Sequence, residues 1–285
     1  MSRHWQPRVL LATIVLTLST LAAAADERSA LSRYSFSQNS LMQWKLPGKL
    51  REISGLVFHD GRLFGHNDQL GIVYELDYQK ARLVKAFALG EKTAHSDFEG
   101  IAVANNHFYL INSDGRLYMA PEGGNGERVK YKTQSTRLGK ECEIEGLAYS
   151  PLENNLLIVC KQARTKALKN RIAIFKWSLS QNKLLEDETL IIKVSTVRQQ
   201  LQAKDFNPSG IEIDTKTGNL LLIAARQRAI AEFDSDGKLL RALTFPLASR
   251  HRQAEGIALT PDGILIIADE GGRKKARLAI YQPDA

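Results

Sequence analysis

From residue 53 onward, apolar residues come in short runs broken by Gly, Asp, Asn and Pro. Leu56-Val57-Phe58 is followed by a turn at Asp60-Gly61, then Leu63-Phe64-Gly65. Ile72-Val73-Tyr74-Glu75-Leu76 and Arg82-Leu83-Val84-Lys85-Ala86-Phe87 come next. Runs this short, bounded by turn residues, predict β-strands rather than helices. Asp-Gly recurs at 60–61, 114–115, 236–237 and 262–263, a strong local signal for hairpins.

A short motif opens each group of runs: an acidic or polar residue (Glu52, Asp97, Glu143, Asn207 and Gln253), any residue, Ser or Glu, Gly, then Ile or Leu. After that first residue its copies continue as Ile53-Ser54-Gly55-Leu56, Phe98-Glu99-Gly100-Ile101, Ile144-Glu145-Gly146-Leu147, Pro208-Ser209-Gly210-Ile211 and Ala254-Glu255-Gly256-Ile257. The glycines are spaced by 45, 46, 64 and 46 residues. Four antiparallel strands in a repeat of this length make one blade of a β-propeller. The expected fold is therefore all-β, a five-bladed β-propeller, with a six-bladed ring as the alternative. The long third step is read as one blade with a long hairpin tip (Ala163 to Asn170) and an inserted helical turn. Thr196 and Gln199 have the spacing of a capping box for that turn. The last unit offers only three strands before Ala285. The segment from Tyr34 to Leu46 has no blade of its own and is expected to supply the fourth, closing the ring.

Ahead of the repeats, Arg3, His4 and Arg8 precede an uncharged run from Val9, and Ala22 to Ala25 precede Asp26-Glu27-Arg28. This is the layout of a secretory signal peptide over residues 1–25, with a membrane anchor as the alternative. Residues 26–33 are expected to be a flexible lead-in, and 34–285 a single domain. The expected location is periplasmic or secreted, and the expected state a monomer with no membrane span after cleavage. Loss of residues 1–25 lowers the formal charge from +8 to +6. The one basic run, Arg273-Lys274-Lys275, reads as a solvated hairpin tip, so no nucleic-acid partner is expected. A small anionic ligand or an envelope protein fits the charge better.

Strand direction places the chemistry. The motifs and the ends of the second strands share one face of the ring. Those ends carry His66-Asn67-Asp68, Asn112-Ser113-Asp114, Lys161 to Arg164, Arg226 and Asp269-Glu270. Deeper, Ser54, Glu99, Glu145, Ser209 and Glu255 are expected to converge on the axis. Carboxylates ~6 Å apart at an effective dielectric near ~20 repel by roughly 3 kcal/mol per pair. A cation, protonation, or an inserted Lys or Arg must offset this. An all-oxygen ligand set points to a hard cation, and calcium suits a wide ring.

On these motifs the chain resembles the SdiA-regulated family of bacterial envelope proteins, which implies a propeller fold. The axial order Ser, Glu, Glu, Ser, Glu is similar to that of the soluble calcium-activated nucleotidases. That likeness implies axial calcium. His66-Asn67-Asp68-Gln69-Leu70-Gly71 is similar to their Asp-Asp-Arg-Thr-Gly loop but has no arginine.

Cys142 and Cys160 fall on neighbouring antiparallel strands of one blade. In an exported chain an even cysteine count favours a disulfide, with two thiols as the alternative. No HExxH, GxSxG, P-loop or GxGxxG is present. Three function classes follow. The first is an envelope binding module with structural calcium. The second is a calcium-dependent phosphohydrolase, with Asn67, Lys161, Arg164 and Arg226 holding the anion and Asp68 or Glu270 as general base. The third is a lactonase using His66.

Overall fold

The protein is described from a computed structural model, over residues 29–80, 82–247 and 250–284. The expected signal peptide lies outside these residues. Strand β1 (Leu41–Lys45) precedes the first blade, built from β2 (Ile53–His59), β3 (Arg62–Asn67), β4 (Ile72–Asp77) and β5 (Arg82–Leu89). The second blade contains β6 (Phe98–Ala104), β7 (His107–Asn112) and β8 (Arg116–Pro121). The short β9 (Arg128–Val129) precedes its outer strand β10 (Lys132–Ser135). The third has β11 (Cys142–Ser150), β12 (Asn155–Ala163) and β13 (Arg171–Ser178), edged by β14 (Lys183–Leu184) and β15 (Leu190–Lys193). Helix α1 (Val194–Leu201) leads to the fourth blade: β16 (Gly210–Asp214), β17 (Asn219–Ala224), β18 (Ala229–Phe233) and β19 (Leu239–Thr244). The last blade holds β20 (Ala254–Leu259), β21 (Leu265–Asp269) and β22 (Arg277–Tyr281).

The strands form five sheets, and the fold is a five-bladed β-propeller. The six-bladed alternative is excluded, because the long third step goes into the doubled edge of blade three and helix α1. That helix is not opened by a capping box. Lys193 occupies the cap position without a side-chain bond, and the Thr196 hydroxyl donates to the Lys193 carbonyl from inside the first turn.

β1 pairs with β22 from Leu41 opposite Tyr281 to Lys45 opposite Arg277, so the N-terminal segment closes the last blade. Residues 29–33 are not a loose lead-in. They form a short 3-10 turn, with Ala30 and Leu31 buried and their N–H groups held by Glu232.

Five apolar cores stabilise the ring, one between each pair of neighbouring blades. The inner and middle strands of a blade are covered on both faces, which explains their near-continuous apolar runs, whereas the outer strand β10 is exposed throughout. The glycine-rich stretch after Pro121 serves a further purpose. It brings β9 alongside β5 in parallel, tying blade two to blade one.

Candidate functional site

The five inner strands β2, β6, β11, β16 and β20 surround the axis side by side. Their motif glycines sit where neighbouring backbones nearly touch. A Cβ on Gly100 would lie 2.6 Å from the Leu147 nitrogen, and one on Gly210 2.8 Å from the Glu255 carbonyl oxygen. No real Cβ tolerates those distances, so the ring closes only with glycine there.

In four of the five motifs the residue before the glycine sits at a β-bulge. Opposite β3, Ile53 pairs with Asn67 and Gly55 with His66, leaving Ser54 as the extra residue. Glu99 is extra between Phe98 and Gly100, and Glu255 between Ala254 and Gly256. In β11 the register shifts between Ile144 and Leu147, which brackets Glu145. A bulge turns one side chain out of strict alternation, and here it turns the polar residue to the axis.

These side chains do not act alike. The Ser54 hydroxyl donates to Glu99 Oε2 at 3.0 Å. Glu145 is buried but carries its own cation: Lys161, from β12, donates to its carboxylate and lies 3.7 Å from Glu143. Ser209 is turned into backbone bonding, donating to the Ala254 carbonyl at 2.7 Å and accepting from the Ala225 N–H at 2.9 Å. The expected five-oxygen ring is therefore narrower than its sequence order. Ser54, Glu99 and Glu255 remain, and they line an axial cavity of about 10 Å³, room for one water-sized sphere. Burial, with Glu145, Asp97 and Glu255 near, pushes the Glu99 carboxyl well above its usual range. Burial, with Glu270 and Glu145 near, pushes Glu255 up to about 9. Glu145 is raised by burial and drawn back by Lys161. Among the described residues, no three of His, Cys, Asp and Glu gather into a metal site by themselves.

Around the rim, the basic arc expected to hold an anion is largely engaged. Lys161 is on Glu145. Arg164 bonds Asp114 at 3.2 Å and the Gly139 carbonyl at 2.5 Å. Of this arc, Arg226 is exposed, and no side-chain partner among the described residues engages it. Asn67 is buried and acts as a turn brace, accepting from the Leu70 N–H at 2.9 Å. Asp68 is pushed up to about 6 by burial and then by Glu52 and Glu270, and its Oδ1 is buried without a partner. Glu270 accepts from Gln253 Nε2 at 2.8 Å and is raised by burial and Glu52. His66 is fully buried against Gly55. Its Nδ1 donates to the Asn67 carbonyl, and burial lowers it to about 4, so it stays neutral. Cys142 and Cys160 are joined as a disulfide.

One ring has no counterpart in the sequence reading. The residue after each glycine (Leu56, Ile101, Leu147, Ile211 and Ile257) is almost wholly buried and lines the same axial cavity. Together they separate the acidic cavity from the opposite face.

The family model for SdiA-regulated proteins matches residues 29–273. The chain belongs to the SdiA-regulated family. No curated protein matches it. Among solved structures, this family member is similar to a glutaminyl cyclase from Myxococcus xanthus, with TM-score 0.59 and 16% identity over 85% of this chain and 94% of that one. It is also similar to a luciferin-regenerating enzyme, with TM-score 0.54 and 10% identity over 85% and 95%. At such identities the likeness establishes the fold alone. The resemblance to calcium-activated nucleotidases finds no support in these matches.

Proposed function

We propose that this family member is an exported envelope binding module with one calcium ion on its axis, held by Ser54, Glu99 and Glu255. The observation that carries the calcium is the axial cavity itself. Two of the oxygen donors around it, Glu99 and Glu255, are half-buried carboxyls without a Lys or Arg of their own. Three side-chain oxygens leave positions for water, which calcium accepts in its flexible shell. Bound calcium would supply the positive charge that these carboxylates otherwise lack. Export is supported by the signal-like N-terminus and by the Cys142–Cys160 disulfide, a bond favoured in oxidising compartments.

A binding role is preferred over phosphate hydrolysis because of the rim. Near the axis it is acidic, with Glu52, Asp68, Asp97 and Glu270, and would repel a phosphate. Two of the three cations meant to hold that phosphate, Lys161 and Arg164, are already paired.

Calorimetric titration of the chelator-treated protein tests the calcium. One site per chain is expected, absent in Glu99→Gln and retained in Arg226→Ala. Absence of calcium binding to the wild type would overturn the axial site.

A further inference from the structure

We infer that the face opposite the motifs holds a site for a small apolar molecule bearing a cationic amine, with Glu212 as the partner of the amine. This names a ligand for the binding module proposed above and rests on that reading, but not on the calcium.

The site is a cavity of about 410 Å³ at the far end of the axis. That is the size of a small-molecule pocket rather than an ion site. The last residues of all five inner strands shape it, so it lies directly beyond the Ile/Leu ring. Phe58, Val103, Tyr149, Ile213 and Leu259 supply much of its wall. An apolar wall favours a ligand with an apolar body, through burial of surface from water.

The charge on this wall has one sign. Asp60 and Glu212 are its carboxylates, and no Lys or Arg lines it. In a chain with 39 Lys and Arg against 31 Asp and Glu, that selects for a cation. His59 and Tyr149 are the other titratable side chains on the wall.

Glu212 is built to stay in place. Its Oε1 accepts the N–H of Ile213 at 2.7 Å, and its Oε2 accepts the N–H of Leu259 from the next blade at 3.3 Å. A carboxylate has about four acceptor positions, so two remain for a ligand. No Lys or Arg among the described residues neutralises it. Burial pushes its carboxyl up to about 7, the mark of a negative charge without a counter-charge. A metal ion is a poor candidate here. Calcium wants six to eight oxygens, and this wall offers one fixed carboxylate among hydrocarbon. An organic ammonium needs only a few acceptors, and its carbon chain uses the rest of the wall.

Three ligands of equal chain length separate the terms: hexylamine, hexanol and hexanoate, titrated into the signal-free chain at pH 7.5. The amine should bind at least about tenfold more tightly than the alcohol, since a hydrogen bond between charged partners is stronger than one between neutral partners. Hexanoate should bind weakest. Glu212→Gln should bring the amine down to the level of the alcohol while leaving alcohol binding in place. Val57→Trp, which fills the cavity from β2, should block all three with the fold intact by circular dichroism. Equal binding of the three ligands, amine affinity unchanged in Glu212→Gln, or no binding of any would overturn the inference. Calcium binding measured on the same samples separates the two readings. If it persists where no amine binds, the amine site alone fails.

Discussion

Ser29 and Glu232 are 203 residues apart in sequence, yet the Ser29 hydroxyl donates to Glu232 Oε2 at 2.5 Å in a fully buried pair. Glu232 also accepts the N–H groups of Ala30 and Leu31 at 2.7 and 2.9 Å, and the Asn219 side chain at 2.7 Å. Four neutral donors thus hold one buried carboxylate, and three of them come from the segment just before the closing strand. The latch fixes the start of the propeller to blade four, while β1 fixes it to blade five.

Glu232→Gln should loosen that latch. The amide replaces an acceptor with a donor that faces other donors, and an unsatisfied buried group costs about 1–3 kcal/mol. In a domain of this size that is a fall in Tm of several degrees, read by thermal circular dichroism. A Tm unchanged within error would mean that the N-terminal turn adds nothing to stability.

Deleting Tyr34 to Leu46 should have a larger effect. It strips β22 of its outer partner, leaving only β21 beside it and an unpaired strand edge open to other chains. It also removes Tyr34 and Phe36 from the core between blades four and five. Light scattering should show aggregation, or calorimetry a loss of cooperative unfolding. A truncated chain that stays monomeric and equally stable would refute the clasp.

The axial carboxyls predict the pH dependence of the calcium-free protein. Glu255 is raised from 4.5 to about 9 on folding, and Glu99 moves the same way. Between those pH values the folded chain holds protons that the unfolded chain has lost. Stability is therefore greatest toward the acid end of that window and falls as pH rises to about 9, at no more than ~1.4 kcal/mol per unit for each group. Glu255→Gln stays neutral throughout, so its Tm profile from pH 6 to 8.5 should be flatter and should lie above wild type at pH 8.5. Parallel profiles would assign the titration elsewhere.

The blade architecture was legible because each glycine marks a close approach of inner strands, and that constraint recurs at nearly constant spacing. Closure by the N-terminus followed from counting strands in the last unit. The ring chemistry was only half legible. A bulge adds one residue without disturbing composition, so the sequence indicated which residues reach the axis but not which of them meet. Lys161 was read as a rim cation. Its hairpin partner strand instead carries Glu145, and the pair forms in the interior. Glu212 and Glu232 carry no motif and stand alone among apolar neighbours in their strands, so nothing in the sequence singles them out. In a propeller both faces of a blade are covered, so alternation alone does not mark exposure. The opposite cavity left no local signal, because its wall comes from five separate strand ends that each read as ordinary core.

Adding calcium to the chelator-treated protein at pH 7.5 in weak buffer tests the axial site most directly. If Glu99 and Glu255 carry protons until a cation replaces them, binding should release about two protons per ion, and Glu255→Gln should release fewer. Glu145→Gln should leave the release nearly unchanged, since Lys161 already serves that carboxylate. Calcium uptake without proton release, or no uptake at all, would contradict an axial site built from these carboxyls.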